Sequence, residues 1–217
     1  MKPILLSLFL AATSTIALAD PIGGPGSSCG TCFDSTYTLE YDPTPVSSTA
    51  TTKTYRIYYT LDATTYNGAG VAVDELNFKV SSSYQSVALV SDPEPVGNWA
   101  VTGGNLSANG CSGSAAGFVC VDYTAGNGLA VPGGPYVWQF DLTVLNAVVP
   151  DTSSFGASIR ARYVDINNRS QGVGITSEGI TLQTRTVPSP SVPEPTAVVL
   201  SLSVAAIALH LGKKKFA

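Results

Sequence analysis

An all-β fold, built as a single antiparallel β-sandwich, is predicted by three features of the sequence. Large apolar residues alternate with polar ones in repeated stretches, turn-forming clusters separate those stretches, and charged residues make up only 12% of the chain. Tyr37, Leu39 and Tyr41 form the first alternating set, and Tyr55, Ile57, Tyr59 and Leu61 the second. Leu76, Phe78 and Val80 form a third, while Tyr136, Trp138, Phe140, Leu142 and Val144 place five large side chains on one face of the longest strand. Gln85 to Val90, Phe118 to Tyr123, Ile159 to Asp165 and Gly179 to Thr184 supply further strands. Between them lie Asn67-Gly68, Gly103-Gly104-Asn105, Gly126-Asn127-Gly128 and Pro132-Gly133-Gly134-Pro135, all turn chemistry. The region shows no sustained 3.6-residue period, so about eight or nine strands in an immunoglobulin-like or jelly-roll-like sandwich is the economical arrangement.

The two ends obey different rules. Lys2, the apolar run from Ile4 to Ala12 and the small-x-small exit Ala17-Leu18-Ala19 describe a secretory signal peptide over residues 1–19, cut after Ala19. The exported domain then covers residues 20–187, opening on the Gly-, Pro- and Ser-rich loop Asp20 to Ser28. Residues 188–195 form a proline-rich linker, which favours an extended backbone and holds the C-terminal segment away from the domain. In residues 196–217, Thr196 to Leu211 is an apolar segment that rises about 24 Å as a helix, slightly short of the roughly 30 Å hydrocarbon core. Pro195 starts that transmembrane helix, and Lys213, Lys214 and Lys215 form a basic stop that keeps the C-terminus cytoplasmic and the domain outside.

Val192-Pro193-Glu194-Pro195, a short apolar helix and a terminal basic cluster resemble the PEP-CTERM sorting signal of Gram-negative bacteria. The resemblance covers only the last stretch of the chain, and its basic cluster is lysine-rich where the family more often has arginine. It implies a substrate of an exosortase, a membrane transpeptidase acting near the Pro-Glu-Pro, and a destination at the cell surface or in an extracellular polysaccharide matrix. The tripeptide alone is weak, since Pro93-Glu94-Pro95 repeats it with no apolar run behind it. No Leu-Pro-x-Thr-Gly sortase motif is present, and a GPI signal would lack the terminal lysines.

Four cysteines in an exported chain point to disulfides, and the local pairings Cys29 to Cys32 and Cys111 to Cys120 are expected. A redox role for Cys29-x-x-Cys32 would want a helix N-terminus to lower the thiol pKa, whereas Phe33-Asp34-Ser35 lead into a strand. A zinc site on the four cysteines has only one C-x-x-C half.

Composition narrows function further. Of eleven Lys and Arg, four are Lys2 and Lys213 to Lys215, which leaves seven basic against fifteen acidic residues between the targeting ends, a net charge of −8. Such a surface repels phosphate backbones, so nucleic acid is not an expected partner. The single histidine, His210, lies in the C-terminal apolar segment, so the exported domain has no imidazole for Ser-His-Asp or Cys-His catalysis and no histidine metal site. The expectation is a non-enzymatic protein without cofactor or metal. Two alternatives stand beside it. A carbohydrate-binding module would stack sugars on Trp99, Tyr123, Tyr136 or Trp138, of which Trp138 reads as core and Trp99 as the better candidate for exposure. A glycoside hydrolase would use a carboxylate pair drawn from Asp34, Asp62, Asp74, Glu75, Asp122, Asp141, Asp165 and Glu178, although no spacing selects one. Asp165-Ile166-Asn167-Asn168 suits a hairpin turn better than a calcium loop.

Overall fold

The computed structural model describes residues 21–79, 83–93, 97–113, 117–148, 150, 158–167, 169–176 and 182–185. The expected signal peptide, linker, sorting motif and apolar tail lie outside the described residues. Every regular element among the described residues is a strand. In order they are β1 (Ile22–Gly23), β2 (Thr36–Tyr41), β3 (Ser47–Ser48), β4 (Thr52–Ala63), β5 (Ala72–Lys79), β6 (Ser86–Ser91), β7 (Trp99–Val101) and β8 (Asn105–Ser107). β9 (Gly110–Gly113), β10 (Phe118–Tyr123), β11 (Leu129–Ala130), β12 (Gly133–Leu145), β13 (Ser158–Val164), β14 (Ser170–Thr176) and β15 (Gln183–Thr184) complete the set.

Two sheets face each other. The first has seven strands in the order β1-β2-β4-β12-β6, with β3 beside β4 and β15 beside β2; the second has six in the order β14-β13-β5-β10-β7, with β11 beside β5. β8 and β9 form a separate two-stranded hairpin. All pairings are antiparallel except β15 with β2, a parallel match that departs from the purely antiparallel expectation. It lets the last described strand close the same edge of β2 that β1 covers: β1 lies against Thr36 and Tyr37, and β15 against Glu40 and Tyr41.

The core between the sheets is aromatic. β4 buries Tyr55, Ile57, Tyr59, Leu61 and Ala63 at alternate positions, and β12 buries Trp138, Phe140, Leu142 and Val144 in register with them. From the second sheet come Leu76, Phe78, Val119, Val121, Ile159, Ala161 and Tyr163. Phe78 meets Phe140 with ring centroids 4.8 Å apart, Tyr59 meets Trp138 at 5.6 Å, and Trp99 meets Trp138 at 5.0 Å edge to face. Such pairs contribute about 0.5–1.5 kcal/mol each beyond the area they bury. Tyrosine hydroxyls also bridge the sheets at two points. Tyr59 donates to the Arg160 carbonyl at 2.7 Å, and the Tyr37 and Tyr163 hydroxyls lie 2.6 Å apart, with Tyr163 donating to Ser35 Oγ. Burial pushes the Tyr163 hydroxyl up to about 12, so it stays a neutral donor.

Several expectations need correction. Pro132-Gly133-Gly134-Pro135, read as a turn, runs into β12, with the irregularity absorbed between Gly133 and Tyr136. Asn105, read as part of a turn, opens β8. The loop from Asp20 to Ser28 contains β1. Fifteen strands among the described residues replace eight or nine, because β1, β3 and β11 are two-residue pairings too short to show a period, β7, β8 and β9 span only three or four residues, and β14 carries two glycines, Gly172 and Gly174; β15 falls within the expected strand Gly179 to Thr184. Val80 and residues 177–181 lie outside the described residues. The expected turn at Asp165 joins β13 to β14: its Oδ1 accepts from the amides of Asn167 and Arg169, and those bonds hold its carboxyl below the usual range.

Candidate functional site

The cysteines pair as expected, Cys29 with Cys32 and Cys111 with Cys120. Cys32 is fully buried, and the chain turns directly into β2 through Phe33 and Asp34, at φ +51° and +58°. A phenylalanine in that region is uncommon. It is held by Asn67, whose amide donates to the Phe33 carbonyl and whose Nδ2 donates to Asp34 Oδ2 at 2.6 Å. The Phe33 ring then lies edge-on to Tyr66 and Tyr163. The element after Cys32 is the strand β2 and not a helix, so no helix N-terminus is available there to activate its thiol.

Two of the four aromatic candidates, both tryptophans, are core. Trp138 is core, as expected, but Trp99 is only 5% exposed, which overturns its expected exposure. It closes the sandwich from β7 by packing between Tyr123 and Trp138. Tyr123 and Tyr136 are half-buried, and Tyr136 spends its hydroxyl on the Ala130 carbonyl.

The carboxylates sort by what they touch. Asp62 accepts from Thr64 in its own turn, Asp141 pairs across strands with Arg56 at 2.6 Å, and Asp165 is occupied by its turn and by Arg169. Glu178 lies outside the described residues. Three others are gathered on the outer face of the second sheet. The register places Asp122, Glu75 and Arg162 in one row across β10, β5 and β13, and Cys120, Asn77 and Arg160 in the next. Between Arg162 and Tyr163 the β5 pairing slips by one residue, so Asp74 is extra. A bulge of this kind breaks the alternation, and here it turns Asp74 and Glu75 toward one arginine. Arg162 donates from Nε to Asp74 Oδ1 at 2.9 Å and from Nη2 to both Asp74 Oδ2 and Glu75 Oε1.

Asp74 and Glu75 are buried, 2% and 5% exposed, while Arg162 and Asp122 are half-buried. Burial pushes the Glu75 carboxyl up to about 7, with Arg162 and, more weakly, the Cys111 backbone amide of the hairpin opposing and Asp74 and Asp122 adding to the shift. Asp122 is raised too, by burial and then by Asp74. Burial works against the charge on Arg162, but its carboxylate partners outweigh it and its pKa lies above the ordinary arginine value. The burial comes from the β8–β9 hairpin. Asn77 donates to the Gly104 carbonyl, Arg160 donates to Asn105 Oδ1 and the Leu106 carbonyl, and Cys111 is bonded to Cys120 in the sheet. Leu106 is 2% exposed. Thus the hairpin is fastened over the two polar rows.

The signal for this cluster was present in Val73-Asp74-Glu75-Leu76, where two adjacent carboxylates break the alternation of a strand. Among the described residues no group of three or more His, Cys, Asp or Glu is placed to hold a metal ion. No helix among them is long and apolar enough to cross a membrane, and the two apolar segments read from the sequence lie outside the described residues.

The residues expected to form a sorting signal, Val192, Pro193, Glu194, Pro195, Lys213, Lys214 and Lys215, and the expected cleavage residues Ala17 and Ala19, likewise lie outside the described residues. The structure does describe how the last described residues, 182–185, are held. Leu182 is fully buried, Arg185 donates its amide to the Tyr41 carbonyl at 2.8 Å, and its guanidinium lies 3.9 Å over the Tyr58 ring. No protein-family model matches the chain, and no curated protein matches it in sequence.

Proposed function

We propose that the protein is an exported, non-enzymatic component of the cell surface or of an extracellular polysaccharide matrix. It is sorted by an exosortase-type membrane transpeptidase acting on the Val192-Pro193-Glu194-Pro195 tail. The observation that carries this reading is the ordered set at the C-terminus, a proline bracket, a 16-residue apolar segment from Thr196 to Leu211, and three lysines. Two disulfides support it, because such bonds persist in oxidising compartments outside the cytosol. The immunoglobulin-like or jelly-roll-like domain is the exported cargo, and its acidic balance suits a soluble surface rather than nucleic acid.

The test compares the full chain with a version lacking residues 191–217 in a bacterium that carries an exosortase. The expected result is a mature protein whose intact mass lacks residues 1–19 and part of the tail, held at the surface, while the shortened version is released. A mature mass retaining both ends, or identical fractionation of the two versions, would overturn the reading.

A further inference from the structure

The β8–β9 hairpin is held over the second sheet by contacts of two kinds. At one end are the neutral and cationic contacts from Asn77 and Arg160. At the other end the hairpin backbone rests directly on the carboxylates. Gly110 sits at φ +92°, and a Cβ there would lie 2.5 Å from Glu75 Oε1 and 3.0 Å from Arg162 Nη1. The next residue, Cys111, is bonded to Cys120 one row away. Glu75 Oε2 is buried with no hydrogen-bond partner. The hairpin therefore covers a carboxylate that is only half satisfied.

We propose that the β8–β9 hairpin is a proton-controlled flap, shut while Glu75 is protonated beside Asp74 and Arg162 and lifted about its Cys111–Cys120 bridge when Glu75 ionises. This inference stands apart from the sorting of the chain. It rests on the bulge, on the contact at Gly110 and on the charges facing the hairpin from each strand beneath it.

Those charges are Asp74, Glu75 and Lys79 on β5, Asp122 on β10, and Arg160 and Arg162 on β13; β8 and β9 bring no ionisable side chain of their own. Lys79 is turned aside over the Phe118 ring, 5.2 Å from its centroid, and Arg160 is engaged with Asn105 and Leu106. Arg162 is left to balance three carboxylates. Ionising Glu75 adds one more negative charge beneath the hairpin, where Glu75 is 5% exposed. An uncompensated buried charge is relieved most directly by letting water in, and the element that can move without breaking either sheet is the hairpin.

The direction of the Glu75 shift sets the sign. Its folded value, about 7, lies above the 4.5 of a free glutamate, so folding favours the protonated form. The closed state therefore has its full contribution from Glu75 below about pH 4.5 and loses it as pH climbs through about 7. Opening presents Asp74, Glu75 and Asp122 as an anionic patch on the outer face.

Hydrogen exchange of residues 105–113 in the full-length chain, corrected for the intrinsic pH dependence of exchange, reads the flap directly. Residues 138–144 of β12 serve as internal control. Flap protection is expected to fall at least about tenfold between roughly pH 5 and pH 8 while β12 stays constant. Glu75→Gln, which is neutral at every pH, is expected to hold the flap protected throughout. Equal pH dependence in wild type and Glu75→Gln, or flap protection that does not change with pH, would overturn the proposal. A second measurement needs no variant: the side-chain carboxyl carbon of Glu75 followed by NMR. Titration near neutrality is expected, and a midpoint in the ordinary glutamate range would end the idea.

Discussion

Along β4 the side chains from Tyr55 to Ala63 are buried at every second position, with half-exposed residues between, whereas β5 is buried at every position from Ala72 to Phe78. Both are central strands with antiparallel neighbours on either side, and both turn one face to the same aromatic core. They differ in what lies on the other face. The first sheet shows its outer side to solvent, so Thr54, Arg56, Tyr58 and Thr60 stay partly wet. The second is covered by the β8–β9 hairpin, so residues that would ordinarily face water, Glu75 and Asn77, are enclosed. The same polar-outward pattern is thus inexpensive on one sheet and energetically demanding on the other, because desolvating a charge costs several kcal/mol unless it is well paired.

Three substitutions probe that contrast by urea denaturation. Trp138→Ala tests what the sheets share. This side chain is fully buried against Tyr59, Trp99 and Tyr136, so its loss is expected to cost about 4 kcal/mol and to loosen both sheets in one transition. Separate transitions for the two sheets would break the picture of a common core. Arg162→Met strips the covered face of its cation and leaves Asp74 and Glu75 enclosed without it, at an expected cost of about 3 kcal/mol. Adding Asp74→Asn and Glu75→Gln to that variant is expected to restore most of the loss, because the enclosed charges go with it. Arg56→Met performs the same operation on the open face, where Arg56 and Asp141 are 23% and 27% exposed, and is expected to cost no more than about 1 kcal/mol. If the two arginine variants cost the same, the cover is not what separates the sheets.

The contrast also explains which parts of the fold were legible in the sequence. Period-two alternation marks a strand only where one face is dry and the other wet, and β2, β4 and β12 meet that condition, so their inward sets can be named residue by residue. Leu76 and Phe78 stand out on β5, but the bulge at Asp74 breaks the rhythm on their N-terminal side and hides how far the strand extends. The covering hairpin escapes a sequence reading because Asn105-Leu106-Ser107 and Gly110 to Gly113 have the composition of a loop, and only Leu106 has the bulk to signal burial. Trp99 misleads for a related reason. Its neighbours Gly97 and Asn98 look like a loose turn, yet a three-residue strand is enough to deliver the indole onto Trp138. The disulfides were legible because local pairings close short loops, and the row Asp122-Glu75-Arg162 was not, since it joins three strands whose order is a property of the folded sheets.

The placement of β1 and β15 on the outer edge of β2 has one more effect. An uncovered row of backbone donors and acceptors is a template on which a strand from another molecule can be laid, and copies crowded on a surface would meet such templates often. Here the rim is occupied by the chain's own short segments, and Leu182 and Arg185 pin the second of them down. A scission near Val192 falls beyond that guard and leaves it seated; a scission before Leu182 would strip it and turn a self-contained domain into one prone to coalesce.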